Sequence, residues 1–203
     1  MKVALAWAGG LGSLASLDAL RGRDVTLVHA PLSEGSLAHL PRYVVEAQAA
    51  ALRLPLAWAP APDPHALAEA AARAGAQALA LGLLRGEDHD AYRLARALHE
   101  HRVEGAFPVR HLPAAEAARG LVETGHRLFA RACRPPFDAS LLGRFLDAGA
   151  VDEVDAVAGR RGWTAVRFLA VDGPLFRRRV EATALEPRTA GDGWRLDLGL
   201  QGC

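Results

Sequence analysis

Short apolar runs and segments of helical period alternate along the first hundred residues. Val3 to Trp7 is an apolar run ending in Gly9-Gly10, which predicts a buried strand. After the glycines, Leu14, Leu17 and Leu20 recur at helical spacing, with Ser13 placed to cap that helix through its hydroxyl. Val25 to Ala30 reads as a second strand. Pro41 to Leu54 reads as a helix with Val44, Val45, Ala51 and Leu52 on its apolar side. Leu56 to Ala59 is strand-like and bounded by prolines. His65 to Ala74 is Ala-rich helix stopped by Gly75, a residue suited to the left-handed position after a helix. Ala78 to Leu81, ended by Gly82, is a fourth strand. Glu87 to His101 is a fourth helix with acidic residues in its first turn, where the helix dipole favours them.

This rhythm predicts an α/β protein with a doubly wound parallel sheet of Rossmann-like type. Ligands of such sheets sit beyond the carboxyl ends of the strands. The Gly9-Gly10 loop, His29 with Ala30, and Gly82 all fall there. The second half is less regular. Ala114 to Glu123 and Ser140 to Asp147 read as helices, Pro135-Pro136 breaks the chain, and Ala165 to Val171 alternates like a strand. Val180 to Leu185 and Trp194 to Leu198 read as two further strands joined across Ala190-Gly191-Asp192-Gly193. A boundary near Phe107-Pro108 divides the chain into 1–107 and a smaller α+β region, 108–203.

Composition narrows the partners. The 203 residues are 51% apolar and 23% charged with a net charge of +1, which favours neither a nucleic-acid nor a membrane-surface partner. No run of about 18 apolar residues is present, and Met1-Lys2-Val3 leads into a strand and not a leader, so a cytoplasmic protein is expected. Cys133 and Cys203 are too few and too far apart for a disulfide framework. Lys2 is the only lysine, and Asn and Ile are absent, a thermophile-like scarcity of labile amides. No interior lysine exists to reach a γ-phosphate or to act as a base.

The stretch Ala8-Gly9-Gly10-Leu11-Gly12-Ser13 carries the candidate chemistry. A glycine loop between a strand and a helix presents backbone N–H groups and a helix N-terminus to a phosphate. With no charged side chain, it points to nucleotide binding more than to nucleotide chemistry. The candidate binding residues are Trp7, Ala8, Gly9, Gly10, Gly12 and Ser13, with His29 and Gly82 across the crevice. Two other readings stand beside this one. The glycines also fit a tight turn needing positive φ. Gly10, Gly12 and Ala15 also make a Gly-x-Gly-x-x-Ala dinucleotide fingerprint for NAD or FAD, although Val28-His29-Ala30 lacks the acid that would hold a ribose.

Two distant stretches together resemble one family. Val3 to Ser13, and Phe168-Leu169-Ala170-Val171-Asp172-Gly173-Pro174-Leu175-Phe176, are similar to the opening loop and closing core segment of the diphthine–ammonia ligases. Val45 to Ala49 with Leu54-Pro55-Leu56 is similar to that family's second helix and third strand. These ligases are PP-loop ATP pyrophosphatases with the adenine nucleotide α-hydrolase-like fold. The resemblance implies that residues 1–107 form a nucleotide-binding domain for ATP or AMP. It implies a reaction in which ATP adenylates a carboxylate and ammonia displaces AMP, with Mg engaged only if ATP is turned over.

The match stops at the charged groups. Ala8, Leu11 and Gly12 stand where the family has serine, lysine and aspartate. Leu83 stands where it has an acid, and Arg161 to Arg167 holds neither the glutamates nor the histidine of the family's glycine-rich stretch. No catalytic residue and no metal site are therefore assigned. The alternative is a non-catalytic structural or regulatory homodimer, a pseudoenzyme.

Other chemistry-bearing residues read more simply. His89 beside Glu87, Asp88 and Asp90 fits an acidic helix start, and His99 and His101 cannot share a helix face. His39, close to Arg42, falls where the family places substrate-contacting residues. Arg177, Arg178 and Arg179 read as a solvated strand edge. Cys133 reads as a packing residue, and Asp172-Gly173-Pro174 as a turn.

Overall fold

The computed structural model describes residues 1–85 and 91–200. Five parallel strands, β1 (Lys2–Ala6), β2 (Asp24–His29), β3 (Leu56–Trp58), β4 (Ala78–Leu81) and β5 (Glu104–Ala106), form a sheet in the order β3-β2-β1-β4-β5. The helices between them are α1 (Leu11–Ala19), α2 (Arg42–Leu52), α3 (Pro64–Arg73) and α4 (Ala91–Glu100). The expected doubly wound, Rossmann-like sheet is present, with β1 at its centre and the order reversing between β1 and β4.

Period-two alternation explains why this sheet is covered on both faces. Val3, Leu5 and Leu27 pack into one apolar cluster, whereas Ala4, Val28, Leu79 and Leu81 pack into another with α3 and α4. Asp63 caps α3 by accepting from the N–H groups of His65 and Ala66, each at 3.0 Å, and Gly75 follows the helix at φ 73°.

The second half builds a separate antiparallel sheet. Helix α5 (Ala114–Glu123) leads into β6 (Arg127–Cys133), and α6 (Ala148–Ala165) leads into β7 (Val166–Asp172). Strands β8 (Ala182–Ala190) and β9 (Gly193–Leu200) form a hairpin closed by the pair Ala190 and Gly193, and the sheet order is β7-β6-β9-β8. Leu128, Phe168 and Leu169 of this sheet share an apolar cluster with Val3, Leu5 and Leu14 of the first half. No helix among the described residues is long and apolar enough to cross a membrane.

Several local expectations are corrected. Residues 140–147 are not a helix: Ala139–Leu141 is a single 3-10 turn, and the helix starts at Ala148 because Asp147 caps it, accepting from Ala150 N–H at 2.8 Å. Strands β5 and β6 and helix α6 were not anticipated by the pattern. Arg177 to Arg179 lie in a bend outside any strand, where Arg177 N–H donates to Ala51 O at 2.7 Å. The acidic segment holding Glu87, Asp88, His89 and Asp90 lies outside the described residues.

Candidate functional site

The loop after β1 is shaped by close backbone approaches. Gly9 adopts φ 69°, and a Cβ there would sit 2.6 Å from Gln48 Oε1. A Cβ on Gly10 would sit 2.9 Å from the Phe168 carbonyl oxygen, and one on Gly12 would sit 2.1 Å from that of Gly82. All three positions therefore require glycine, although only Gly9 requires it for its φ. Gly10, and not Ser13, is the N-cap of α1. Ser13 lies inside the first turn, where its hydroxyl oxygen accepts from Ala8 N–H at 3.0 Å and closes the loop on itself. The first helical bond runs from Leu14 N–H to Gly10 O at 2.9 Å, so the N–H groups of Leu11, Gly12 and Ser13 have no acceptor within the helix.

Gln48, fully buried on α2, locks this loop to the second sheet. Its Oε1 accepts from the Trp7 indole N–H at 2.9 Å. Its Nε2 donates to Gly9 O at 3.2 Å and to Ala170 O at 2.7 Å. Ala170 N–H in turn donates to Gly9 O at 2.9 Å. The two stretches that carry the family resemblance, about 160 residues apart in the chain, are thus in direct contact. Sequence reasoning passed over Gln48. Its signal was a polar residue on the otherwise apolar stripe of α2, formed by Val44, Val45, Ala51 and Leu52.

Beyond the strand ends lies a cleft of about 590 Å³. Trp7, Ala8, Gly10, Gly12, Ser13, His29 and Gly82 all line it, so the crevice gathers the expected residues; Gly9 is the exception, turned towards Gln48. The N-terminal turn of α1 borders the cleft on one side. Trp163 at the end of α6, with Val166, Arg167 and Phe168 on β7, borders it on the other, and Leu32, Leu67, Leu83 and Leu84 add apolar wall. Among the described lining residues there is no aspartate or glutamate.

Besides Ser13, two polar side chains of the cleft lining are buried, His29 and Arg131. His29 Nδ1 pairs with the Trp7 carbonyl at 2.7 Å, which assigns the proton to Nδ1. Its Nε2 lone pair is buried without a hydrogen-bond partner, and Trp58 packs edge-on at 5.3 Å. Desolvation holds the imidazole below its usual pKa, with Arg131 and His39 pushing the same way against the Trp7 hydrogen bond, so His29 is neutral. Arg131 on β6 is only 4% exposed. Its guanidinium donates from Nη1 to Leu37 O at 3.2 Å and to His39 O at 2.8 Å, and from Nη2 to Ala38 O at 3.0 Å. Its Nε has no partner, and burial, with Arg167 and Arg195 nearby, lowers its pKa to about 9. It remains a cation at neutral pH.

Arg131 also fixes the segment between β2 and α2. Leu32 and Ala38 of that segment line the cleft, and Arg195 on β9 donates to the carbonyl of Glu34. His39 is held by a contact of 2.8 Å between its Nδ1 and Leu32 O, and does not line the cleft. Cys133 is buried at the end of β6, its thiol pushed up to about 11 by burial and by Asp138, so it is a packing residue and not an activated nucleophile. Asp172 accepts from Gly173 N–H at 2.8 Å, outside the cleft, and shapes the turn that follows β7. No group of three or more His, Cys, Asp or Glu among the described residues is arranged to hold a metal ion.

No family model matches the chain, and no curated protein does. Among solved structures, the chain is similar to a protein described as a predicted subunit of tRNA methyltransferase from Methanocaldococcus jannaschii. That likeness has a TM-score of 0.46 at 10% identity and spans 89% of this chain and 100% of the other.

Proposed function

We propose that the cleft binds an adenine nucleotide, ATP or AMP, as the resemblance to the diphthine–ammonia ligases and their PP-loop fold implies. The observation that carries the reading is the N-terminal turn of α1 opening into a cleft without a described carboxylate. The N–H groups of Leu11, Gly12 and Ser13 are donors suited to phosphate oxygens, and the positive end of the helix favours negative charge. The apolar wall of Leu32, Leu67, Leu83 and Trp163 suits a flat base, and the cleft volume lies within the usual range for small-molecule sites. His29 Nε2 is an unused acceptor beside that wall.

Amide-forming chemistry is a separate matter. The described cleft lining offers no carboxylate to hold Mg or to take a proton, and Leu11 stands where the family's lysine would meet leaving pyrophosphate. Binding without turnover is therefore the form of the proposal. Calorimetric titration with AMP and with ATP·Mg tests it, with saturable binding of either as the expected result and no heat from both as the overturning one. A parallel assay for AMP or pyrophosphate release shows whether chemistry accompanies binding.

One observation favours a second reading, a loop that is purely structural in a non-catalytic protein. Gly9, Gly10 and Gly12 are each explained by a close neighbour in the fold. The same titration separates the two, because a structural loop binds no nucleotide.

A further inference from the structure

The net charge of +1 averages over the whole chain and conceals one strongly basic spot. Arg177, Arg178 and Arg179 are consecutive and exposed in the bend after β7. Arg177 N–H donates to Ala51 O at 2.7 Å, which sets the run against the last turn of α2. Arg53, also exposed, caps that helix two residues beyond Ala51. We propose that Arg53 and the Arg177–Arg179 bend form a docking surface for the phosphate backbone of a nucleic-acid strand. None of the four lines the cleft, so this surface stands apart from the nucleotide site.

Pairing sets these four arginines apart. Nine other described arginines each hold a carboxylate at 3.9 Å or closer. Arg53, Arg177, Arg178 and Arg179 make neither an ion pair nor a side-chain hydrogen bond among the described residues, and Glu181, the next acid along the chain, pairs with none of them. The negative end of the α2 dipole favours a cation there, but one would serve that end. Four like charges gathered without a counter-ion repel one another, and a polyanion relieves the repulsion.

The bend is also held in place. Buried Phe176 and Val180 flank the three arginines. Phe176 N–H donates to Gly173 O at 2.9 Å, and Val180 N–H donates to Val171 O at 2.7 Å. Binding therefore orders side chains but little main chain, which lowers its entropic cost. Guanidinium forks match phosphate oxygens. A protein interface needs an apolar anchor at its core, and a membrane surface needs apolar side chains to insert beside the basic ones. The large exposed apolar residues are Met1, Tyr43, Tyr92, Phe145 and Val157, none of them in the bend. A charged strand read through its backbone is the partner that fits.

Fluorescence anisotropy with short, labelled, mixed-sequence RNA and DNA strands tests this across a salt series. The proteins are wild type, the double variant Arg178→Gln/Arg179→Gln, and the control Arg73→Gln/Arg119→Gln, which lowers the net charge by the same two units. All six substituted or retained surface positions are exposed, and melting curves establish that each protein is folded. Wild type should bind with affinity falling against log salt at a slope of roughly 3, since each neutralised phosphate of a single strand contributes about 0.7. The double variant should bind about tenfold more weakly with roughly half that slope, and the control should match wild type. The tighter of the RNA and DNA arms names the strand. Absence of binding to both strands by wild type overturns the proposal, as does an equal loss in the two variants. Binding of phosphatidylserine vesicles or polyglutamate as tightly as of either strand overturns it too, because the surface then serves a membrane or an acidic protein.

Discussion

Gln48 Nε2 donates at 2.7 Å to the carbonyl of Ala170, a residue 122 positions further along the chain. Because the same amide also holds Gly9 O and the Trp7 indole, a single side chain ties Trp7, the glycine loop and β7 together. Gln48→Ala leaves an indole N–H buried without its described partner, removes one donor from each of two buried carbonyls, and opens a cavity. The expected cost is roughly 3 kcal/mol. In a chain of this length that lowers the melting temperature by roughly 6–12 °C, read by calorimetry or circular dichroism. A loss under about 1 kcal/mol would show that the lock is not needed.

Gly12 and Gly82 approach so closely that neither tolerates a side chain. A Cβ on Gly12 would lie 2.1 Å from Gly82 O, and one on Gly82 would lie 2.5 Å from Gly12 C. The obstacle is backbone on both sides, so no rotamer change relieves it. Gly12→Ala and Gly82→Ala should each destabilise the protein by about 3 kcal/mol. The double variant should cost less than the sum, because both push apart the same pair. Urea unfolding of the three proteins provides the cycle.

Two buried histidines make stability depend on acid. Burial lowers the pKa of His29 and of His126, and Asp18 and Trp7 only partly offset it. Around His126 lie Asp18, Arg21 and the Asp172 main chain, and Asp18 Oδ1 is 3.6 Å from Nε2. A folded pKa below the unfolded value near 6.5 means that the unfolded chain takes up protons first. The contribution of both groups is therefore full above about pH 7 and falls as the pH drops below about 6.5. The melting temperature at pH 5.5 should be lower than at pH 7.5, and His126→Gln should flatten that slope. An unchanged slope in the variant would remove His126 from the account.

Cys133 should resist thiol reagents in the native protein. It is buried and its pKa is raised to about 11, whereas the unfolded thiol titrates near 8.5. The neutral thiol is the form the fold prefers, so its contribution is present at neutral pH and lost as the pH rises past about 8.5 towards 11. Peptide mapping after iodoacetamide should find Cys133 unmodified at pH 7.5 and modified in denaturant. Rapid native labelling would contradict its burial.

What the sequence made legible was the periodic part. The parallel sheet followed from apolar runs between helical segments, and seven of the eight candidate residues do meet at the cleft. Strand β6 was hidden because Arg127 and Arg131 interrupt its apolar run, and the buried Arg131 is satisfied by carbonyls from a segment over ninety positions away. Helix α6 was hidden by its glycines, although Asp147 carried a capping signal. Hydroxyls favour the cap position, which makes Ser13 the candidate in the sequence, but Gly10 holds that position and the Ser13 hydroxyl oxygen accepts from Ala8 N–H instead. The arginines of the cleft were invisible for a related reason: which side chains of the second sheet face the first is decided by the Gly9–Ala170 contact, a long-range pairing that no local pattern encodes.

The most direct test of the central claim is a calorimetric titration with AMP on wild type and on Ala30→Trp. Ala30 directly follows β2, is half-buried and lines the cleft, so an indole there fills the space, and a melting curve of the variant establishes that it is folded. The account predicts saturable, one-to-one binding by wild type and none by the folded variant. Absence of binding by wild type, or equal affinity in the two proteins, would contradict it.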